Sequence, residues 1–230
     1  MALRQRCRTS LAWHWHRNYS STNKNNIKDN KNRVPLLWSG SEDEDAGTVQ
    51  LLSWGRGASG QLGGGIEEIR IYPATVASLS LPPSCSLSSS IPGRLCSPHL
   101  PFSKHGDAAE LEVGISCGLF HSALLVGGKF WIWGKGDGGR LGLGHENPVF
   151  VPTLNPHLES VRSIALGGLH SMAVNSSGQV FTWGYGGFGA LGHSVYHREL
   201  FPRLVEVSWD KQIHHIATSG AHSAAITGSG

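Results

Sequence analysis

Three glycine-rich segments and three histidines have types and spacings that could carry chemistry. Each glycine segment matches G-x-G-x-x-G, which binds dinucleotide phosphates when it lies between a strand and a helix. Each histidine precedes a serine, and a histidine can ligate a metal ion or move a proton. The glycines are Gly55, Gly57 and Gly60; Gly134, Gly136 and Gly139; Gly184, Gly186 and Gly189. The histidines are His121, His170 and His222.

The context of the glycines argues against a dinucleotide site. Each segment continues into Leu-Gly, ending at Gly63, Gly142 and Gly192, and then reaches a proline without an amphipathic helix. Three cofactor sites at intervals of about fifty residues are implausible in a chain of this length. We expect the glycines to allow positive φ and close backbone approach near the axis of a repeat fold. No cofactor is expected.

The elements that position these residues repeat with them. Trp54, Trp133 and Trp183 each open the cassette W-G-x-G-x-x-G-x-L-G, and the histidine segment follows each cassette. Short apolar runs of four to six residues frame both cassettes, with turn formers such as Gly127-Gly128 between them. Four short strands in about fifty residues are typical of one β-propeller blade, so the sequence predicts an all-β propeller.

These paired cassettes resemble the repeats of the regulator of chromosome condensation family. The resemblance covers residues 49–230 apart from an insertion in the first repeat, whereas kelch repeats lack both the histidine segment and the Leu-Gly ending. The family implies seven blades in a complete protein, of which about three repeats are present here. The next Trp-Gly pair is due just beyond residue 230, so we expect a partial propeller that stops inside a repeat and does not fold cooperatively alone.

Within such repeats the tryptophans and histidines have structural interpretations. We expect each indole to pack between blades and donate its N–H to the backbone. We expect a buried His–Ser pair to satisfy backbone groups at each blade junction. One metal ligand per blade is the alternative for the histidines, but equivalent positions lie around a ring and would not converge on one ion. No catalytic triad or phosphate-binding loop stands out, so we expect no enzyme chemistry and no metal.

The first 33 residues differ from the rest in charge. They hold eight basic side chains and one acid, Asp29, whereas the remaining 197 residues carry a net charge of −4. An Arg-rich, Ser-containing and acid-poor N-terminus is typical of a mitochondrial presequence, with a plastid, the nucleus or the cytosol as alternatives. The acidic body argues against direct DNA binding. No apolar run is long enough for a membrane helix.

Composition divides the chain into three parts. We expect a presequence and linker at 1–33, an acidic linker at 34–48 and three repeats at 49–230, with a Ser/Pro-rich loop inserted at about 77–110. The four cysteines form no C-x-x-C pair, so we expect buried or free thiols, which suits a reducing compartment.

Two functions follow from the resemblance. The first is a non-catalytic scaffold in mitochondria that binds protein partners, with organellar RNA processing or assembly of a ribonucleoprotein as its setting. The alternative is guanine-nucleotide exchange on a small GTPase, with the insertion as a wedge. A ubiquitin-ligase role would need a domain that these residues lack.

Overall fold

The structure is a computed structural model that describes residues 34–39, 47–81, 85–89, 109–209 and 211–228. The described residues form strands joined by turns, with a single three-residue 3-10 turn, Asp137–Gly139. The strands are β1 Leu36–Ser39, β2 Gly47–Gly57, β3 Glu68–Leu81, β4 Cys85–Ser89, β5 Ala109–Cys117, β6 His121–Val126, β7 Lys129–Gly134, β8 Val149–Leu154, β9 Val161–Leu166, β10 His170–Asn175, β11 Val180–Gly184, β12 Glu199–Leu204, β13 Ile213–Thr218 and β14 Ser223–Thr227.

These strands form four sheets, which we call blades 1 to 4. Blade 1 has the order β1-β3-β2, blade 2 the order β4-β5-β6-β7-β8, blade 3 the order β12-β11-β10-β9, and blade 4 the pair β13-β14. In blade 2 the strands β5 to β8, and in blade 3 the strands β9 to β12, pair antiparallel with their neighbours as in a meander. The β6–β7 hairpin turns at Gly127 and Gly128, whose φ values of 54° and 80° suit a tight turn that follows strand twist. The all-β propeller prediction is confirmed.

Blades 2 and 3 each contain a full set of four antiparallel strands, of which we call the first two in the chain inner (β5 and β6; β9 and β10) and the last two outer (β7 and β8; β11 and β12). The described part of blade 1 lacks the two inner strands, and that of blade 4 lacks the two outer ones. A structural blade therefore begins before the histidine segment and ends after the proline. Each sequence repeat, counted from its tryptophan, spans the outer half of one blade and the inner half of the next.

Two predicted boundaries are wrong in detail. The 34–48 segment is not entirely linker, because β1 pairs parallel with β3 and β2 already begins at Gly47. The 77–110 segment is not entirely loop, because β3 continues to Leu81 and β4 pairs parallel with β5. Both extra strands satisfy an exposed sheet edge, which sequence periodicity alone does not reveal. Residues 82–84, 90–108 and the predicted presequence 1–33 lie outside the described residues.

The hydrophobic core lies between neighbouring blades. Phe130, Ile132 and Leu141 of blade 2 pack against Ile164 and Trp183 of blade 3. Similar clusters join blade 1 to blade 2 and blade 3 to blade 4. Full burial of each such side chain contributes about 1.5–3 kcal/mol, so the stability of each blade depends on its neighbours.

Candidate functional site

The two repeated cassettes meet across every blade junction. The serine of each histidine segment donates its hydroxyl to a carbonyl in the glycine cassette of the preceding blade. Ser122 Oγ lies 2.9 Å from Gln61 O, Ser171 Oγ 2.7 Å from Arg140 O, and Ser223 Oγ 2.8 Å from Ala190 O. The three acceptors occupy the same position, two residues before the final cassette glycine. The same hydrogen bond therefore joins neighbouring blades at all three junctions.

In two of the junctions, a histidine of the preceding blade bonds the same serine. His121 Nε2 lies 2.8 Å from Ser171 Oγ, and His170 Nε2 lies 2.8 Å from Ser223 Oγ. Because each hydroxyl proton goes to a carbonyl, the serine oxygen must accept from the histidine, which fixes the neutral Nε2–H tautomer. We call this chain from histidine to serine to carbonyl the junction relay. Each histidine thus bonds the serine of the next repeat and not its own neighbour.

Burial keeps both relay histidines neutral. Desolvation, with smaller contributions from Arg140 and His170, lowers the pKa of His121 from 6.5 to about 3. Desolvation and then His222 lower the pKa of His170 to about 4. Protonation would place a second N–H on Nδ1, which is buried without a hydrogen-bond partner in both rings. The relay is therefore a structural element at neutral pH.

His222 is the third histidine of the repeat but has a different environment. Its side chain is exposed, and no described serine lies beyond it to accept a bond. Among the described residues, no three His, Cys, Asp or Glu side chains are grouped so as to hold a metal ion.

The three cassette tryptophans do not behave alike. Trp133 is buried and donates its Nε1–H to Gln61 O at 2.9 Å, whereas Trp183 is buried with its Nε1 unpaired within the described structure. Trp54 is 61% exposed, so its predicted packing between blades is wrong. Each indole packs on the cassette of the preceding blade, and no described blade precedes Trp54.

The last cassette glycine forms the socket for that indole. Gly63 has a φ of 76°, and a Cβ there would lie 2.8 Å from Trp133 Nε1. Gly142 has a φ of 66°, with 2.7 Å to Trp183 Nε1. Gly192 shares the conformation, with a φ of 73°, but no indole faces it. A side chain at the first two positions would displace the tryptophan.

The other glycines of the three G-x-G-x-x-G motifs lie at the ends of β2, β7 and β11 or in the loops that follow these strands. The first and third glycine of each motif have positive φ, whereas the second does not, and a Cβ there would contact neighbouring atoms. No helix follows any cassette in the described residues. The second-position glycines are Gly57, Gly136 and Gly186; the others with positive φ are Gly55, Gly60, Gly134, Gly139, Gly184 and Gly189.

A surface that sequence reasoning missed lies on one side of the blades. We call it the loop face: the β5–β6 and β7–β8 loops of blade 2 and the β9–β10 and β11–β12 loops of blade 3. Tyr185 and Phe188 are exposed and stack edge to face with ring centroids 5.6 Å apart. They line a cleft of about 330 Å³ with Leu169, Gly138 and Arg140.

Arg140 connects this face to the junction relay. It is buried, donates to Gly168 O and Asp137 O at 2.8 Å each, and lies 5.6 Å from the ring centre of Phe120. Lys135 also faces Phe120 and pairs with Asp137 at 2.8 Å. The hydrogen bond from Lys135 lowers the pKa of Asp137 below its ordinary value. The loop face is thus an aromatic surface on a hydrogen-bonded base.

The polar groups of the junction relay are all engaged in the fold. The relay is buried, its serine protons are committed to carbonyls, and its histidines titrate far below neutral pH. What the described residues offer is a rigid framework with exposed aromatic side chains, which is suited to binding. No helix in the described part is long and apolar enough to cross a membrane.

Comparison with known families identifies the repeat. The model of the "Regulator of chromosome condensation (RCC1) repeat" matches residues 127–174 and 177–226, and a second RCC1 repeat model matches residues 161–190. Both long matches start within the β6–β7 or β10–β11 turn and end in β10 or β14, the second strand of the next blade.

Two curated relatives are similar to this chain in sequence, and one solved structure shares its fold. It is 60% identical over 202 residues to "RCC1 domain-containing protein RUG3, mitochondrial" of Arabidopsis thaliana, covering 86% of this chain and 43% of that protein. It is 30% identical over 184 residues to "Ultraviolet-B receptor UVR8" of the same plant, covering 78% and 36%. The crystal structure of Prp20p from Saccharomyces cerevisiae, described with its binding to Gsp1p and histones, superposes with a TM-score of 0.54 at 21% identity, covering 78% of this chain and 40% of that one.

The chain spans less than half the length of these relatives. "E3 ubiquitin-protein ligase HERC2" of Homo sapiens is also similar, at 32% identity over 184 residues, but the match covers 77% of this chain and 3% of that protein. The shared part in each case is the repeat.

Proposed function

Because this chain belongs to the RCC1 repeat family, we propose that it is a non-catalytic protein-interaction module whose loop face binds a protein partner. The observation that carries the proposal is the exposed aromatic pair Tyr185 and Phe188 on the β11–β12 loop, which the relay bonds at Ala190 O and whose Tyr185 N–H donates to Leu169 O. Aromatic and Arg side chains in a shallow, preformed site are the usual centre of a protein interface.

The opposite ends of the blades support this choice of surface. The β6–β7 turn consists of Gly127 and Gly128, and the β10–β11 turn of residues 176–179. Neither turn has an aromatic side chain, although the β12–β13 connection at the same end exposes Val207 and Trp209. The loop face, in contrast, also exposes Leu119.

Charge indicates the class of partner. Residues 34–230 carry a net charge of −4, and Lys135 on the loop face is already paired with Asp137. A phosphate backbone needs an unpaired basic stripe, so a protein surface suits this face better than a nucleic acid. The mitochondrial relative and the basic N-terminus support a mitochondrial site of action, with RNA processing or complex assembly as the process.

A purification from mitochondria tests the proposal. The tagged full chain and the double variant Tyr185→Ala/Phe188→Ala are purified after nuclease treatment, with Tyr72→Ala as control because Tyr72 is exposed on β3 in blade 1. We expect specific protein partners with the parent chain and the control, and their loss with the double variant. Equal recovery from all three proteins would reject the loop face, and partners that disappear with nuclease would favour RNA.

Exchange activity on a small GTPase stays a second candidate, supported by the shared fold with Prp20p. It predicts accelerated GDP release from an organellar GTPase in the presence of the chain. A release rate equal to the unassisted rate across the organellar GTPases would remove this candidate and leave the binding proposal intact.

A further inference from the structure

Arg140 is a buried cation at a cassette position where the junction relay does not need one. It is 4% exposed, and its equivalents in the other two cassettes are Gln61 and Ala190. Each of the three residues accepts a serine hydroxyl through its backbone carbonyl, so the relay forms with a charged, a neutral polar or an apolar side chain. The repeat therefore does not account for the guanidinium.

The Arg140 guanidinium has no carboxylate partner among the residues that the structure describes. Its Nε and Nη1 donate to the carbonyls of Asp137 and Gly168 at 2.8 Å each, and its Nη2 donates to no described acceptor. The Asp137 carboxylate pairs instead with Lys135 at 2.8 Å. Burial lowers the pKa of Arg140, and the charge of Asp137 opposes this shift. A buried cation without a paired anion is unfavourable, because it has lost much of its hydration.

The cleft on the loop face gives access to this guanidinium. It has a volume of about 330 Å³, and its lining residues are Asp137, Gly138, Arg140, Leu169, Tyr185 and Phe188. Tyr185 packs on Gly138 of the preceding blade, where an added Cβ would lie 3.2 Å from Tyr185 Cβ. The backbone N–H of Tyr185 also donates to Leu169 O at 3.0 Å. The aromatic wall beside Arg140 is therefore held by contacts within its own blade and with the preceding one.

The charge and the walls of the cleft favour a carboxylate beside an apolar group. A guanidinium presents its N–H donors in a plane, which matches the two oxygens of a carboxylate. A phosphate group carries a charge of about −1.5 to −2 at neutral pH, so the Asp137 carboxylate in the lining would repel it more strongly than a single negative charge. Tyr185 and Phe188 are exposed and carry no charge, so an apolar side chain suits the rest of the cleft.

We propose that the cleft binds an acidic side chain of a protein partner, with its carboxylate on Arg140 and a neighbouring apolar residue on Tyr185 and Phe188. The assignment of this ligand rests on the proposed function, because it needs a protein segment at the loop face. That segment contains Asp or Glu next to an apolar residue. Aromatic and Arg side chains in a desolvated pocket are the usual anchors of an interface, so this contact supplies much of the affinity.

Two peptide pools test the ligand class on the full chain. The first pool contains capped X-Glu-X peptides in which X is Leu or Phe, each with a neutral fluorescent dye, so that the Glu carboxylate is the sole charge. The second pool has Gln in place of Glu. We expect fluorescence anisotropy to show that the Glu pool binds at least about tenfold more tightly, as a buried and hydrogen-bonded charge pair does. Displacement of the Glu pool by millimolar inorganic phosphate would identify a free anion as the ligand and overturn the proposal.

Arg140→Gln tests the residue that reads the charge. Glutamine is the residue that Gln61 supplies at the equivalent position, and the substitution keeps the backbone carbonyl that accepts from Ser171. We expect the preference for Glu over Gln to disappear. Arg198→Gln is the matched control, because it removes an equal charge from an exposed arginine that pairs with Glu146 and does not line the cleft. We expect this control to keep the preference, and thermal unfolding verifies that both variants are folded.

The outcomes separate the carboxylate site from the proposed function. Equal binding of the two pools to the parent chain, or a Glu preference that survives Arg140→Gln, would overturn the carboxylate site. If Tyr185→Ala/Phe188→Ala then abolishes binding of both pools, the loop face still binds protein, and the proposed function stands. Binding of neither pool would also overturn the carboxylate site, whereas the purification from mitochondria decides the loop face by itself. The comparison of the two pools on the parent chain does not depend on the folding of any variant.

Discussion

The junction between blades 2 and 3 and the junction between blades 3 and 4 contain the same residue types but differ in completeness. The first has Trp183 buried at Gly142 and a relay from His121 through Ser171 to Arg140 O. The second has the relay from His170 through Ser223 to Ala190 O but no tryptophan at Gly192. Polar bonds therefore form wherever two inner strands meet, whereas the indole needs the outer half of the following blade.

Removal of the tryptophan is the strongest way to test this difference. Trp183→Ala empties the core between blades 2 and 3, and we expect the free energy of unfolding to fall by about 3–5 kcal/mol. Trp54→Ala removes an exposed ring, with an expected change within about 0.5 kcal/mol. Urea unfolding followed by circular dichroism measures both, and similar losses for the two variants would contradict the described burial.

The glycine sockets give a second, smaller contrast. Gly142→Ala combines backbone strain at positive φ with a contact on Trp183, so we expect it to cost about 2–4 kcal/mol. Gly192→Ala carries the strain without the contact and should cost about 1–2 kcal/mol. The same unfolding experiment compares them, and equal costs would show that the indole does not occupy the Gly142 socket.

We expect acid to destabilise the fold, because His121 stays neutral in the folded chain at pH values at which it is protonated in the unfolded chain. Between pH 6.5 and about 3, the unfolded His121 is protonated while the folded one is neutral, so the free energy of unfolding falls as pH is lowered. At about 1.4 kcal/mol per pH unit, the loss from His121 is about 2 kcal/mol at pH 5. His121→Gln, which keeps an N–H donor, should have a flatter profile of stability against pH.

The relay serines give the smallest contrast. Ser171→Ala removes a bond to Arg140 O and leaves the buried His121 Nε2–H without an acceptor, so we expect a loss of about 2 kcal/mol. Ser122→Ala removes only the bond to Gln61 O, with an expected loss of about 1 kcal/mol. Thermal unfolding resolves the two; a larger loss for Ser122→Ala would refute the relay order.

Sequence periodicity predicts most of the fold because each repeat contains the same pattern of strands and turns. The alternation of short apolar runs with Gly127-Gly128 or Ser-Ser-Gly locates β6, β7, β10 and β11. It does not locate β1 or β4, because their parallel pairing joins segments outside the repeat.

The candidate site is harder to predict from the sequence than the fold. Trp54 and Trp133 have the same local pattern, and only their neighbours in space decide that one is exposed and the other buried. His121 adjoins Ser122 in sequence yet bonds Ser171, since alternate residues of a strand face opposite ways. Arg140 occupies a variable cassette position, so nothing in the pattern marks its bonds to Gly168 O and Asp137 O.

The junction relay has a consequence for how such a chain can change length. Each histidine lies one repeat from its serine, and each serine donates to the backbone carbonyl at the same cassette position, so the bonds do not depend on which repeat supplies them. Deletion of residues 133–182 would bring Trp183 to Gln61 O and offer Ser223 to His121, rebuilding each contact with the next equivalent residue. Duplication or loss of one whole repeat therefore preserves the hydrogen bonds at the junctions, whereas loss of half a repeat removes the partners that these bonds need.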